Sequence, residues 1–272
     1  MRVTFPRLAA VDIDDTLLGR DLTIHPRNRR ALAELMDRGC TVTLATGRMY
    51  QSARPFAEEL GLGDVPLICY NGGLCVTASR GEILWHEPLP AAAAAEALAY
   101  LAAGGWHVQA YEDDRLFVAE CNPMVEMYCR TARVEAEVVG DLRAHPWGAL
   151  TKLLVIGDPD RLPGLAEAIA GLAGGALAAV RSWGSFLEIG PAGVNKGSAL
   201  RRLGARLGVA MEATAAFGDS ENDREMLAVA GLGVAMVCAP ESVKAVADHT
   251  APPDAEAGLG AAIEQLILGV PG

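Results

Sequence analysis

The sequence predicts an α/β fold: a Rossmann-like domain with a parallel sheet, interrupted by an inserted α+β domain whose sheet is mainly antiparallel. Short apolar runs alternate with helical patterns near both ends of the chain, and this rhythm is typical of βαβ units. Between them the predicted strands come in hairpins. We therefore predict that residues 1–81 and 191–272 form one unit, the main domain, and that residues 82–190, the insert, form another.

Apolar periodicity and its stop signals place the elements of the main domain. The run at 8–12 is apolar, ends in an acid and is typical of a buried strand. Helical spacing follows at 25–38 and ends at Gly39. The other predictions are strands at 41–45, 66–70, 213–217 and 233–236 and helices at 52–60, 196–207, 223–230, 242–247 and 259–268.

Two hairpins mark the change of rhythm that leads into the insert. One pairs 74–76 with 83–85, and the other pairs 106–111 with 115–120. The alanine-rich stretch at 90–103 begins with proline and is followed by glycine, so it predicts a helix. The remaining predictions are helices at 123–130 and 161–172 and strands at 134–139, 152–156, 176–181 and 186–189.

Length and charge narrow the possible functions. The chain has 272 residues, of which 51% are hydrophobic, enough for a large core. Its formal net charge of -11 argues against a nucleic-acid partner, because phosphate backbones attract clustered Lys and Arg. The N-terminus shows no secretory signal and no apolar run is long enough for a membrane span, which predicts a cytoplasmic protein without a membrane partner. The sequence does not predict an oligomeric state.

The six cysteines form no C-x-x-C pair, and most have apolar neighbours in the sequence. Such spacing does not favour a metal site, and a chain without a secretory signal rarely carries disulfides. We therefore predict that these cysteines are reduced, small residues of the hydrophobic core.

Four short segments carry most of the side chains that can handle a phosphate group. They are Asp12-Ile13-Asp14-Asp15-Thr16, Thr46-Gly47-Arg48, Lys196-Gly197 and Gly218-Asp219-Ser220-Glu221-Asn222-Asp223. Each follows, or plausibly follows, an apolar run that predicts a strand. Because open α/β sheets bind ligands beyond the carboxyl ends of their strands, we expect the four segments to meet there.

The acids of these segments predict a metal site. The carboxylates of Asp12, Asp14, Asp219 and Asp223 would repel one another in one crevice unless a cation compensates. Mg²⁺ prefers such oxygen ligands and suits a site that also holds phosphate, whereas Zn²⁺ is disfavoured without a nearby histidine or cysteine. An aspartate can also act as a nucleophile and form an acyl-phosphate.

The other members of the segments can bind phosphoryl oxygens. The Thr46 hydroxyl and the Gly47 amide are donors, and Lys196 adds a positive charge. Glycines at 47, 72 and 73 would let the backbone approach a ligand closely. Taken alone, the first three motifs are more typical of an ordinary turn, strand end or exposed lysine, and the segment at 218–223 is equally typical of a helix N-terminus. The prediction therefore depends on their joint occurrence in this order.

At these segments the chain resembles the haloacid dehalogenase (HAD) superfamily of phosphohydrolases, whose four motifs occur in the same order. It is similar in particular to the Cof-type branch, and the resemblance spans essentially the whole chain. The cues for this branch are Ala45-Thr46-Gly47-Arg48, Tyr70-Asn71-Gly72-Gly73, the long insert after them, and Asn195-Lys196-Gly197 shortly before Gly218-Asp219.

The resemblance implies roles for individual residues. Asp12 would be the nucleophile, and Asp14 would protonate the leaving alcohol and then activate water. Thr46 would hold a phosphoryl oxygen, and Lys196 would neutralise charge on Asp12 and the phosphate. Mg²⁺ would be bound by Asp12, the Asp14 backbone carbonyl and Asp219, with help from Asp223 directly or through water. The insert would act as a cap that excludes water and selects the substrate.

Further residues are candidates for contact with the substrate. In the main domain they are Arg48, Asn71, Gly72 and Asn222, for which hydrogen bonds that only fix the loops are an equal alternative. In the insert they are Lys152, Glu188, Trp106, His107 and Trp183, none of which we single out. The chain departs from many Cof-type members at Asp15, where they have glycine; this change should not disturb catalysis.

The sequence therefore predicts a Mg²⁺-dependent phosphatase that acts on a small phosphorylated metabolite, such as a sugar phosphate or a phosphoglycolate-like ester. One alternative is a phosphoryl transferase or mutase, which would use the same aspartyl-phosphate. Another is a non-catalytic regulator that binds a phosphorylated metabolite. The presence of both Asp12 and Asp14 argues against the regulator.

Overall fold

The computed structural model describes residues 5–19, 21–182, 184–252 and 257–270. Its strands are β1 (Leu8–Val11), β2 (Thr41–Leu44), β3 (Pro66–Cys69), β4 (Leu74–Thr77), β5 (Ile83–His86), β6 (His107–Glu112), β7 (Arg115–Val118), β8 (Ala136–Val138), β9 (Lys152–Ile156), β10 (Leu177–Arg181), β11 (Phe186–Pro191), β12 (Thr214–Gly218), β13 (Leu232–Ala235) and β14 (His249–Thr250).

The helices surround these strands. They are α1 (Pro26–Asp37), α2 (Tyr50–Glu59), α3 (Ala91–Ala103), α4 (Pro123–Ala132), α5 (Leu162–Gly171), α6 (Lys196–Leu207), α7 (Arg224–Val229), α8 (Glu241–Lys244) and α9 (Gly258–Ile263). Across the described residues, no helix is both long enough and apolar enough to cross a membrane.

The main domain is organised around a five-stranded parallel sheet in the order β14-β13-β12-β1-β2. All four residues of β1 are buried, because β1 lies at an inner position between β2 and β12. Leu8 pairs with Thr41 on one side and Thr214 on the other, so the three strands run in step. Their carboxyl ends therefore reach one edge of the sheet together, where the segments that come after them can meet.

The third predicted strand of the main domain begins a second, smaller sheet. β3, β4 and β5 form an antiparallel sheet of three strands. A single parallel bridge from Ala45 to Ile68 joins β3 to the end of β2. This arrangement carries the chain from the parallel sheet into the insert and confirms the predicted hairpin of 74–76 with 83–85.

The insert contains a six-stranded sheet in the order β10-β11-β9-β6-β7-β8. Its pairs are antiparallel except β7 with β8, which are parallel. All five residues of β9 are buried in its centre, and apolar residues of α3 and α5 cover one face in a separate hydrophobic cluster. These two sheets confirm the predicted fold class.

Two details of the sequence prediction were wrong. β14 was not predicted, because its two residues are exposed and polar and form a strand only by pairing with β13. The cysteines do not all belong to the core: Cys40, Cys69 and Cys75 are buried, whereas Cys121 and Cys238 are exposed. Both exposed cysteines lie in loops, where apolar neighbours in the sequence do not ensure burial.

Candidate active site

The four motif segments meet at the carboxyl edge of the parallel sheet. Asp12 follows β1 directly, and Asp219 follows β12. Thr46 comes two residues after the end of β2, and Lys196 is the first residue of α6. All four side chains are buried, with exposures of 7% or less. The strand order thus brings together residues that lie up to 207 positions apart in the sequence.

Lys196 lies at the centre of a buried ion network. Its Nζ donates to Oδ1 of Asp12 at 2.5 Å and to Oδ1 of Asp223 at 2.7 Å. The side chain of Lys196 is fully buried, and that of Asp223 is too. Asn195 caps α6 by accepting from the Ser198 amide at 2.8 Å, which fixes where the helix begins. One buried ammonium therefore serves two carboxylates.

Burial and neighbouring charges set the ionisation of this network. Burial raises the pKa of Asp12 well above its usual value, and Lys196 opposes this rise. Burial would lower the pKa of Lys196, but the attraction of Asp12 and Asp223 outweighs it and raises that pKa instead. Lys196 is consequently a fixed positive charge beside the carboxylate that the resemblance makes the nucleophile.

Asp219 is a further buried carboxylate near Asp12 and Asp223. Its Oδ1 accepts from the Thr16 hydroxyl at 3.0 Å, and its Oδ2 accepts from the Ser220 hydroxyl at 2.8 Å. Burial and the nearby Asp223 raise the pKa of Asp219 to about 7. A carboxylate with two hydroxyl donors and a raised pKa lacks a compensating positive charge.

The donor set fits a hard divalent cation. One carboxylate oxygen from each of Asp12, Asp219 and Asp223 lies within 4.8 Å of the others. Asp223 already uses both of its carboxylate oxygens. Oδ1 accepts from Lys196 at 2.7 Å, and Oδ2 accepts from the backbone amides of Asp219 and Ser220, in both cases at 3.0 Å. Asp12 and Asp219 are therefore the better direct ligands, with Asp223 placed to act through water.

This arrangement predicts that Mg²⁺ stabilises the protein more strongly at higher pH. In the metal-free protein Asp219 has a pKa of about 7, above its unfolded value of 3.8, so its contribution to stability falls as the pH rises between these values. Mg²⁺ must displace the proton below pH 7, so its apparent affinity should weaken by up to about tenfold per pH unit there. The measurement is the melting temperature against Mg²⁺ concentration from pH 5.5 to 8.

The control for this prediction is Asp219→Asn, in which position 219 cannot titrate. Its response to Mg²⁺ should be weaker at every pH and should depend less on pH between 5.5 and 7. Equal Mg²⁺ affinity of the unmodified protein at pH 5.5 and pH 8 would contradict the prediction.

Asp14 and Arg48 form a two-pronged ion pair at the mouth of the site. Nε of Arg48 donates to one oxygen of Asp14 at 2.8 Å, and Nη2 donates to the other at 2.6 Å. The Arg48 side chain is 10% exposed and that of Asp14 is 41% exposed. Arg48 was predicted as a substrate contact; in this structure its guanidinium orients the carboxylate of Asp14.

Thr46 is placed to donate a hydrogen bond. Its Oγ1 accepts from the Arg48 amide at 3.1 Å, so the hydroxyl proton remains available for another acceptor. Thr46 also lines the same cavity as Asp12 and Asp14. A phosphoryl oxygen in that cavity is the kind of acceptor it suits.

Asp15 adopts a left-handed backbone conformation with φ of +56°. This explains why glycine suits the position in similar proteins, since only glycine enters this region without steric cost. Aspartate is among the residues that tolerate it best. The departure at Asp15 is thus accommodated by the turn.

The strain at Asp15 can be measured by two substitutions that both delete its side chain. Asp15→Gly should be more stable than Asp15→Ala by about 1 kcal/mol, because alanine keeps the steric cost of the positive φ. Urea unfolding of both variants measures the difference. Equal stabilities, or a more stable Asp15→Ala, would show that the turn does not hold this conformation in solution.

Asn71, Gly72 and Asn222 occupy different positions around the site. Asn222 lines the cavity, whereas Asn71 lies behind it and bonds to Asn222. Gly72 has φ of +103°, and a Cβ there would lie 2.7 Å from the Asn195 carbonyl oxygen. Its observed contacts are with the start of α6, so both the positive φ and this packing require glycine at the position.

The insert forms one side of the cavity, which has a volume of about 100 Å³. Its wall from the insert is largely apolar and includes Tyr128, Leu154 and Phe186 beside Lys152 and Glu188. The three apolar residues were not predicted, since nothing in their spacing in the sequence separates cavity walls from ordinary core.

The other insert candidates lie elsewhere or are not described. Trp106 stacks on Arg161, with 4.3 Å between the guanidinium carbon and the ring centre. His107 lies 3.2 Å from the side-chain amide of Asn122. Neither lines the cavity, and Trp183 falls outside the described residues. Lys152 and Glu188 are thus the described insert candidates that reach the site.

Comparison with known proteins gives consistent matches. A family model described as haloacid dehalogenase-like hydrolase matches residues 9–263. An HMP-PP phosphatase of Escherichia coli O6:H1 is 34% identical over 247 residues, which cover 89% of this chain and 88% of the relative. The crystal structure of TM0651 from Thermotoga maritima is 33% identical, with a TM-score of 0.80 over 96% of this chain and 97% of that one.

A more distant structure supports the fold. A haloacid dehalogenase-like hydrolase from B. subtilis has a TM-score of 0.86 at 23% identity and covers 96% of this chain and 99% of its own. The family match spans all four motif segments and confirms the resemblance drawn from them. The chain therefore belongs to the haloacid dehalogenase-like hydrolase family and is a phosphatase of that family.

Proposed function

We propose that this protein is a Mg²⁺-dependent phosphatase that hydrolyses a small phosphorylated metabolite through an aspartyl-phosphate on Asp12. The observation that carries the proposal is the buried contact of Lys196 with Asp12, which lines a cavity together with Asp14 and Thr46. The carboxyl group of Asp12 lies beside a fixed ammonium that favours its anionic form, the form that attacks phosphorus. The insert, which forms one side of the cavity, would limit the access of bulk water to the reacting atoms.

The proposed roles rest on the positions of the side chains. Asp12 attacks the phosphoryl group, and Asp14 gives a proton to the leaving alcohol and later takes one from water. Thr46 donates to a phosphoryl oxygen, and Lys196 offsets negative charge. Gly47, Arg48 and Asn222, which line the cavity, remain proposed substrate contacts; Asn71 and Gly72 were predicted with them but are not among the residues that line it.

A magnesium ion would be held by Asp12, the Asp14 backbone carbonyl and Asp219, with Asp223 assisting. When bound, it supplies positive charge that stabilises the phosphoryl oxygens. The surplus of carboxylates over cations and the raised pKa of Asp219 support a cation here.

The residues that line the cavity indicate what kind of substrate it suits. Tyr128, Leu154 and Phe186 offer apolar surface opposite the carboxylates, which favours a leaving group with an apolar face. The relative from E. coli is named for HMP-PP, and we include that ester among the candidates. A sugar phosphate and a phosphoglycolate-like ester are the candidates that the motif resemblance suggests.

Phosphate release from these esters tests the proposal directly. Each would be assayed with Mg²⁺ and with a chelator, and with an added sugar as an alternative acceptor. Release that requires Mg²⁺ supports the phosphatase, and transfer to the sugar would instead support the phosphoryl transferase. Absence of both from folded, Mg²⁺-loaded protein would argue against either activity and favour a binding role.

A further inference from the structure

A chain of hydrogen bonds runs from the insert into the main domain beside the cavity. Oε2 of Glu188 accepts from Nδ2 of Asn71 at 3.0 Å. Oδ1 of Asn71 in turn accepts from Nδ2 of Asn222, also at 3.0 Å. Glu188 belongs to β11 of the insert, whereas both asparagines lie in loops that come after strands of the main domain. The chain of bonds therefore exists only while the insert lies against the main domain.

Glu188 fixes the direction of every hydrogen bond in this series. Oε2 of Glu188 also accepts from Nζ of Lys152 at 2.8 Å, and a carboxylate has no proton to offer in return. Asn71 must therefore turn its NH₂ group toward Glu188 and its carbonyl oxygen toward Asn222. Asn222 must then turn its own NH₂ group toward Asn71.

This orientation leaves the carbonyl oxygen of Asn222 as an unused acceptor. Its Oδ1 is buried and has no hydrogen-bond partner among the residues that the structure describes. Asn222 as a whole is 7% exposed and lines the reaction cavity. Because buried acceptors are nearly always satisfied, a donor from a ligand is the expected partner.

The main domain is shaped to receive Glu188. A Cβ on Gly47 would lie 2.6 Å from Oε1 of Glu188, so any side chain at 47 would push the carboxylate away. The Gly47 carbonyl oxygen also accepts from Nζ of Lys152 at 2.7 Å. Glu188 and Lys152 are 6% and 4% exposed. The charged pair is thus held directly against the Thr46-Gly47-Arg48 loop.

We propose that Glu188 is a positioning residue that acts through Asn71 to hold the carbonyl oxygen of Asn222 toward the bound substrate. Closure of the insert then fixes an acceptor at the reaction centre. That acceptor suits an O–H or N–H group on the leaving alcohol and disfavours a phosphoryl oxygen, which cannot donate. The contact of Asn222 with a substrate rests on the proposed function, whereas the orientation of the Asn71 and Asn222 amides does not.

Exchanging the carboxylate and the amide at positions 188 and 71 tests this series of hydrogen bonds. Asn71→Asp places a second carboxylate against Glu188 and should lower kcat/KM by about 100-fold. The backbone should not be disturbed, because aspartate tolerates the positive φ of 55° at this position about as well as asparagine does. Glu188→Gln still accepts through its carbonyl oxygen and should stay within about tenfold of the unmodified protein.

The double variant Asn71→Asp/Glu188→Gln moves one negative charge from 188 to 71 and leaves the total unchanged. The glutamine NH₂ group can now donate to the aspartate, which still accepts from Asn222. We expect kcat/KM of the double variant to recover to within about tenfold of Glu188→Gln, and its melting temperature to exceed that of Asn71→Asp. Additive losses without recovery in either quantity would overturn the proposal.

A second readout needs no turnover. NMR spectra of the Asn222 side-chain amide, recorded without substrate, report its exchange with water. Exchange should accelerate at least about tenfold when Glu188→Met is combined with Lys152→Met. This double variant removes the carboxylate that orients Asn71 without leaving a buried charge unpaired. Unchanged exchange would overturn the proposed orientation. If no ester were hydrolysed while this exchange accelerated, the proposed function would fail and the orientation would stand.

Discussion

Asp12→Asn should lower kcat/KM for phosphate release by at least about 10³-fold, because an amide cannot form the aspartyl-phosphate. The effect should be chemical and not structural. Asparagine has the same shape, and its carbonyl oxygen can still accept from Lys196, which lies 2.5 Å from Oδ1 of Asp12. Lys196 also keeps Asp223 as a charged partner. The measurement is steady-state phosphate release with saturating Mg²⁺.

The matched control is Asp37→Asn, the same substitution at an exposed position of the main domain near the end of α1. It should leave kcat/KM within about twofold and the melting temperature nearly unchanged. Intact mass and circular dichroism would show that the Asp12 variant is folded and has not reverted by deamidation. Activity of Asp12→Asn within tenfold of the unmodified protein would reject Asp12 as the nucleophile.

The positions of Asp12 and Asp219 were predictable for a physical reason. Each directly follows an apolar run that forms a strand of the parallel sheet, and parallel strands deliver the residues after them to one edge. Thr46 follows β2 and is brought to the same edge of the sheet for the same reason. Lys196 was predicted from its motif and its place before a helical pattern, and α6 does begin there.

The partners of these residues were not predictable, because they depend on tertiary distance. Nothing in the sequence links Arg48 to Asp14, which lie 34 positions apart and form a two-pronged ion pair. Nothing indicated that Asp223 would use both oxygens to accept from Lys196 and from backbone amides. Motifs identify which residues meet, whereas side-chain geometry decides which of them remain available to a ligand.

The insert was predicted in outline only. Its hairpins and helices are set by local patterns, so the fold class was confirmed. Alternation along a strand shows that residues face two sides, but the cavity side of β11 depends on how the insert sits on the main domain. Phe186 faces the cavity, yet the sequence gives no sign that it differs from its apolar neighbour Leu187. This is why substrate selection is the least predictable part of the molecule.

Lys196→Met should destabilise the protein by about 3–5 kcal/mol, because it removes one partner of a buried ion network. The ammonium of Lys196 is hydrated in the unfolded state but has 0% exposure in the folded state, where it contacts both Asp12 and Asp223. Methionine fills most of the same volume, so the loss is electrostatic. Activity should fall together with stability, since the phosphoryl group loses a positive charge.

The measurement is urea unfolding with chelator at pH 8 and at pH 5.5. Without Lys196 nothing opposes the burial that raises the pKa of Asp12, so this carboxyl group should bind a proton more readily and the destabilisation should be smaller at pH 5.5 than at pH 8. The matched control is Lys244→Met, which removes a lysine from a partly exposed pair with Glu241 and should cost less than about 1 kcal/mol.

Lys196→Met/Asp223→Asn separates charge from packing. If the loss comes from an uncompensated carboxylate, removing the charge at 223 should restore part of the stability at pH 8 and little at pH 5.5. A loss that is equal at both pH values and unaffected by Asp223→Asn would contradict the electrostatic argument. Because the same ammonium stabilises the fold and is proposed to offset charge on the phosphoryl group, stability and catalysis should fail together at this position.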